Sequence, residues 1–180
     1  MQVEKLFAQA AEHYGVQTVV LRAGDFYGGT QAGSWFDLAL VNRLEHDQFV
    51  YPGPLNVLHS WAYLPDFARC LVALPGSASS CRCMGSTCFS GHTLTGAELR
   101  VLVEQACGRQ VTRLSFPSKL IRLGRWLVPL WRELAEVAYL WEWPQQLNGQ
   151  ALQVLLGADN RAHTDPAGSV RLLAGSGQNC

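Results

Sequence analysis

Two groups of residues in this sequence are of types that do chemistry. The first is Asp25 and Tyr27, in Ala23-Gly-Asp-Phe-Tyr-Gly-Gly29, together with His59 in Val57-Leu-His-Ser-Trp-Ala-Tyr63. A carboxylate, a phenol and an imidazole can hydrogen-bond a polar substrate, and can move protons where their surroundings tune them. The second is Cys81, Cys83, Cys88 and His92, a C-x-C-x4-C-x3-H pattern. Four soft ligands this close together suit zinc. The Cys-x-Cys spacing differs from the usual zinc knuckle, and a surface loop with free thiols is the competing reading.

The elements that must position the first group can be read from the pattern. Val3, Leu6, Phe7, Ala10, Ala11 and Tyr14 recur at helical period, giving an amphipathic helix with this stripe in the core. Gly15 suits a left-handed stop. Residues 17–22 run apolar and β-branched, as a strand buried on both faces of a parallel sheet does. Asp25 and Tyr27 then fall in a loop at that strand's carboxyl end, where open parallel sheets bind ligands. Further on, His59, Trp61 and Tyr63 alternate with Ser60, Ala62 and Leu64 at strand period. Pro65 and Asp66 suit the first turn of a following helix, with Phe67, Leu71 and Leu74 inward. His59 reads either as a substrate contact or as a structural histidine.

These motifs resemble the middle of the extended short-chain dehydrogenase/reductases, the NAD(P)-dependent epimerase/dehydratase family. The shared spacing runs from Glu4 to Gly15, to Leu21-Arg22 closing a strand, to Phe26-Tyr27-Gly28. On that register the family's catalytic Lys falls just before Met1 and its Tyr further upstream. The resemblance implies the C-terminal part of a Rossmann-like doubly wound parallel sheet with a small, mostly helical substrate-binding cap, an α/β fold. It implies NAD or NADP as cofactor, with Ala23 and Gly24 near the nicotinamide end, and a small-molecule substrate contacted by Asp25, Tyr27 and His59. His59 stands where sugar-nucleotide members place an Arg that contacts diphosphate. An imidazole is shorter, unforked and mostly neutral at pH 7, which argues against a nucleotide sugar. No G-x-G-x-x-G phosphate loop and no Tyr-x-x-x-Lys pair occur in the 180 residues, so no catalytic residue is assigned. Tyr14 has no Lys four residues on and reads as core.

The expected organisation is residues 1–74 as the Rossmann-like portion, with substrate-side elements at about 34–56. A Ser/Gly/Cys-rich loop covers 75–92, the cap 93–174, and a tail 175–180. Ser34 caps a helix over about 35–45, whose Trp35 and Phe36 line a pocket or fill the core. A short strand at 48–51 precedes Pro52-Gly-Pro54, and another resumes at 87–90. Thr95-Gly-Ala-Glu98 is a capping box opening a helix closed by Gly108. Another strand spans 111–116. Residues 118–143 read as two aromatic helices over the substrate cleft, with a membrane-surface anchor as the alternative.

Composition limits the partners. Fourteen basic and fourteen acidic residues cancel, so no basic stripe points to nucleic acid. No apolar run is long enough for a membrane span. Six cysteines without a secretory leader read as reduced, and the protein as cytoplasmic. Three functional classes follow: an oxidoreductase-like chain, N-terminally incomplete and inactive by itself; a non-catalytic partner-binding module on the same scaffold, as a homodimer or with a missing N-terminal half; and a cysteine-cluster metal protein.

Overall fold

A computed structural model describes residues 2–29, 43–77, 85–115, 138–157 and 164–175. The first helix, α1 (Gln2–Tyr14), ends at Gly15, whose φ of 63° is the left-handed stop its sequence calls for. Strand β1 (Val19–Arg22) follows and pairs in parallel with β5 (Gly85–Cys88). Strand β2 (Asp25–Tyr27) comes straight after β1, so Asp25 and Tyr27 lie on a strand rather than in a loop. It pairs in parallel with β4 (Leu58–Tyr63), placing Asp25 opposite Trp61. On its other side β4 meets β6 (His92–Thr95) antiparallel, with His59 opposite Leu94. Strand β3 (Gln48–Tyr51) pairs in parallel with β7 (Thr112–Ser115).

Helix α2 (Leu64–Ser77) leaves β4 directly, with Pro65 and Asp66 in its first turn. It runs through Pro75, so its last residues belong to the helix and not to the following loop. Helix α3 (Gly96–Cys107) opens on the capping box. The Glu98 amide donates to Thr95 Oγ1 at 3.2 Å and the Thr95 amide to Glu98 Oε2 at 2.8 Å. Two short helices close the chain, α4 (Gln150–Leu156) and α5 (Pro166–Gly175).

The core has two parts. Tyr27, Phe49, Tyr51, Trp61, Leu99, Val103, Trp141 and Val170 form the larger one, an aromatic cluster between β3, β4 and α3. Ala62, Cys70, Leu74, Phe89 and Leu152 form the smaller one, where α2 and α4 cover the sheet.

Several expectations change. The stripe of α1 is not core: the helix has no buried residue, and Tyr14 is 80% exposed. Strand β1 is only half-buried, because among the described residues β5 is its sole neighbour in the sheet. Strand β4 is buried at every position from His59 to Tyr63, so its alternation does not separate an inner face from an outer one. Leu71 faces solvent. The strand expected at 87–90 begins at Gly85. Cys70 and Cys88 are free thiols, whereas Cys107 is disulfide-bonded, which corrects the reading of all six cysteines as reduced. The helix at 35–45 with Trp35 and Phe36, residues 118–137, Cys81, Cys83 and residues 176–180 lie outside the described residues.

Candidate functional site

The chain leaves the carboxyl end of β1 through Ala23 and Gly24, both half-buried. Gly24 has no room for a side chain: a Cβ there would lie 2.0 Å from the Ser60 carbonyl oxygen. This close approach seats β2 against β4 and brings Asp25 to His59. His59 Nε2 lies 2.9 Å from Asp25 Oδ2. Asp25 can only accept while ionised, so Nε2 carries the proton. The imidazole is almost fully enclosed, and its ring stacks on Trp141 with centroids 4.2 Å apart and planes 4° from parallel. Its Nδ1 is buried without a hydrogen-bond partner among the described residues. Asp25 is the part of this pair that meets solvent, its side chain being 34% exposed.

Tyr51 completes the wall. It is buried at the edge of Trp141, and desolvation, with the Asp25 charge second, pushes its hydroxyl up to about 12. Trp141 falls in the segment expected over the cleft, but its stacking on His59 and the place of Tyr51 beside it follow from no local pattern, because nothing local links residues 51, 59 and 141.

Tyr27 sits elsewhere. Its hydroxyl is 2.6 Å from His92 Nδ1 and 2.6 Å from Ser169 Oγ, and the side chain is 3% exposed. His92 Nε2 reaches the Thr164 carbonyl at 2.7 Å, and Ser169 Oγ donates to the Pro166 carbonyl at 2.9 Å. A tyrosine between a serine and a base has the residue types of an acid/base set. Burial, however, pushes the Tyr27 hydroxyl well above its ordinary value, the Ser169 hydrogen bond only partly offsetting it. A phenol so placed holds its proton and works as a fastener between β2, β6 and α5. The fastener continues through Asp66, which is 1% exposed. Its carboxylate accepts from the Thr164 amide at 2.7 Å and from Thr164 Oγ1 at 2.9 Å, and pairs with Arg69.

His92 is therefore committed through both ring nitrogens, which takes it out of the cysteine-cluster reading. No group of three His, Cys, Asp or Glu side chains among the described residues is placed to hold a metal. Likewise, no described helix is long and apolar enough to cross a membrane.

No protein-family model and no curated protein sequence matches the chain. Solved structures do. An L-threonine dehydrogenase from Phytophthora infestans superposes with a TM-score of 0.69 at 14% identity, over 97% of this chain and 52% of that one. A UDP-glucuronic acid 4-epimerase from Bacillus cereus, in complex with UDP-glucuronic acid and NAD, gives 0.67 at 14% identity, over 96% and 48%. A human epimerase family protein with NADPH gives 0.59 at 15% identity, over 89% and 49%. The fold is α/β and Rossmann-like, as it is in these structures. The chain spans about half the length of the structures it matches.

Two of these neighbours hold a nicotinamide dinucleotide, NADPH in one and NAD in the other. The 180 residues contain no glycine-rich phosphate loop. The small, half-buried Ala23–Gly24 link lies at the carboxyl end of β1, directly before Asp25.

Proposed function

We propose that the chain is the C-terminal, substrate-side part of an NAD(P)-dependent epimerase/dehydrogenase-type oxidoreductase, inactive by itself. The observation that carries this reading is the Asp25–His59 pair, set beside the Ala23–Gly24 link where β1 ends, at 2.9 Å and backed by Trp141. Ala23 and Gly24 border the nicotinamide and Asp25 contacts the substrate. His59 orients Asp25 from behind. Tyr27 supports β2 without touching substrate. The acid/base pair and the phosphate loop of such an enzyme come from sequence other than these 180 residues.

Half of a site should recognise half of a cofactor. In an amide NMR titration of the full chain, millimolar nicotinamide mononucleotide shifts the signals of Ala23, Gly24 and Asp25, while AMP leaves them in place. Equal shifts with AMP, or none with either, overturn the assignment. Separately, turnover of UDP-glucuronic acid or L-threonine with NAD or NADP by the chain alone would contradict its inactivity.

A partner-binding module is the second reading. One observation favours it: an amphipathic α1 with no buried residue.

A further inference from the structure

The one proton of a neutral His59 ring is already committed. Nε2 gives it to Asp25 Oδ2 at 2.9 Å. The other ring nitrogen, Nδ1, is buried and has no hydrogen-bond partner among the described residues. A proton on Nδ1 would be a buried donor without an acceptor, so the neutral ring, with a lone pair on Nδ1, is the form that leaves no donor orphaned. The ring is held in this orientation from two sides. It lies flat on Trp141, planes 4° apart, and against Trp61 with centroids 4.9 Å apart. His59 therefore has no proton left to give a ligand.

Asp25, ionised, can only accept. Its side chain is 34% exposed and His59 holds only Oδ2, so Oδ1 is open to a donor. The pair as a whole carries one negative charge. Among the described residues its carboxylate meets no guanidinium: Arg22, Arg69, Arg100 and Arg109 pair with Glu4, Asp66, Glu104 and Asp47 instead. Behind the carboxylate, Tyr51, His59, Trp61 and Trp141 are all buried. Such backing screens a charge less than water does. Tyr51 registers it, since burial first and the Asp25 charge second push its hydroxyl up.

We propose that Asp25 selects substrates by charge, and that the group it meets is a primary ammonium on a small polar molecule. The assignment rests on the reading above that Asp25 contacts substrate, and adds the chemical class of what it contacts. An ammonium brings three donors and no acceptor, which matches a site edge that offers only lone pairs. Its charge makes the hydrogen bond to Oδ1 charge-assisted, about twice as strong as a neutral one. A hydroxyl fits less well, since it donates once and its own lone pairs face those of the carboxylate. A phosphate or carboxylate is refused: it meets a like charge, and the imidazole beside that charge has no proton to offer. His59 fixes Oδ2, and with it the direction in which Oδ1 faces.

The test is an NMR titration of the full chain at neutral pH with three small probes that differ in charge: ethanolamine, an ammonium at that pH, ethylene glycol and glycolate. The Asp25 amide and the His59 ring signals are followed, with Glu45 and Asp47 as exposed carboxylates for comparison. Ethanolamine is expected to shift Asp25 and His59 with an apparent affinity at least about tenfold above that of ethylene glycol, and glycolate to leave them in place. Asp25→Asn keeps an acceptor for His59 Nε2 and removes the charge. With circular dichroism unchanged, its ethanolamine response at His59 falls to that of ethylene glycol; the wild-type comparison stands without it. A response to ethylene glycol or glycolate as strong as to ethanolamine overturns the charge selection while leaving Asp25 as a substrate contact. The charge selection is also overturned by an ethanolamine response that Asp25→Asn leaves unchanged, or by one of equal size at Glu45 and Asp47. No response at Asp25 to any of the three overturns the substrate contact itself, and this inference with it. The cofactor side is judged separately, at Ala23 and Gly24 with nicotinamide mononucleotide.

Discussion

Gly24 is a glycine because the Ser60 carbonyl already fills the space of its side chain. Gly24→Ala must push β2 off β4, and a urea titration should show a loss of about 2–3 kcal/mol with separation of the Asp25–His59 pair. Tyr51 gives a pH test. Its hydroxyl holds its proton up to about 12 when folded, against about 10 when unfolded. The folded state therefore binds the extra proton between those values. The stability this contributes is complete below pH 10 and disappears as the pH rises toward 12, about 2–3 kcal/mol in all. Tyr51→Phe should flatten the alkaline limb of a stability–pH curve relative to wild type; an identical slope would show that Tyr51 is not the group responsible. The Asp25–His59 couple was visible in the sequence only as two polar residues near strand ends. Their pairing depends on the β2–β4 register, which no local pattern specifies. Tyr27 was placed among the substrate contacts because it shares a short segment with Asp25, yet its hydroxyl is bonded to residues 65 and 142 positions away.

Elements whose ends are fixed by local chemistry were the most legible. The Thr95/Glu98 box starts α3, and Gly108, with φ of 67°, ends it. Hydrogen bonds from the Thr95 amide and hydroxyl hold the Glu98 carboxyl below its ordinary value. Thr95→Ala should cost about 1 kcal/mol in thermal or urea unfolding, since one amide at the helix start loses its acceptor. The clamp at the start of α2 is stronger. Asp66→Asn replaces an acceptor of the Thr164 amide and hydroxyl by a group that also donates, inside a site with almost no solvent. A loss of about 2–4 kcal/mol is expected, with faster exchange of the Thr164 amide. What periodicity cannot say is what lies against an apolar face. The apolar stripe of α1 reads as core, yet Val3, Leu6, Phe7 and Tyr14 are exposed. In β4 the alternation at strand period is correct, yet both faces are dry from His59 to Tyr63.

At the scale of the whole molecule, the Rossmann-like class followed from the family resemblance carried by Glu4, Gly15, Leu21-Arg22 and Phe26-Tyr27-Gly28, while the division of the core into two clusters did not. That division depends on α4 joining α2 and on α5 joining α3, contacts that close late in the chain. Arg69, Asp66, Thr164, His92, Tyr27 and Ser169 connect these closing segments to the sheet. Three contacts lie in a row: His92 to Tyr27, Tyr27 to Ser169, and Ser169 to the Pro166 carbonyl. With His92 neutral, its one ring proton is given to the Thr164 carbonyl, and only the two hydroxyl protons remain for the three contacts. A protonated His92 brings the third, and the row then runs in one direction with each gap filled. One proton on His92 Nδ1 thus sets the direction in which the row of hydrogen bonds to α5 runs.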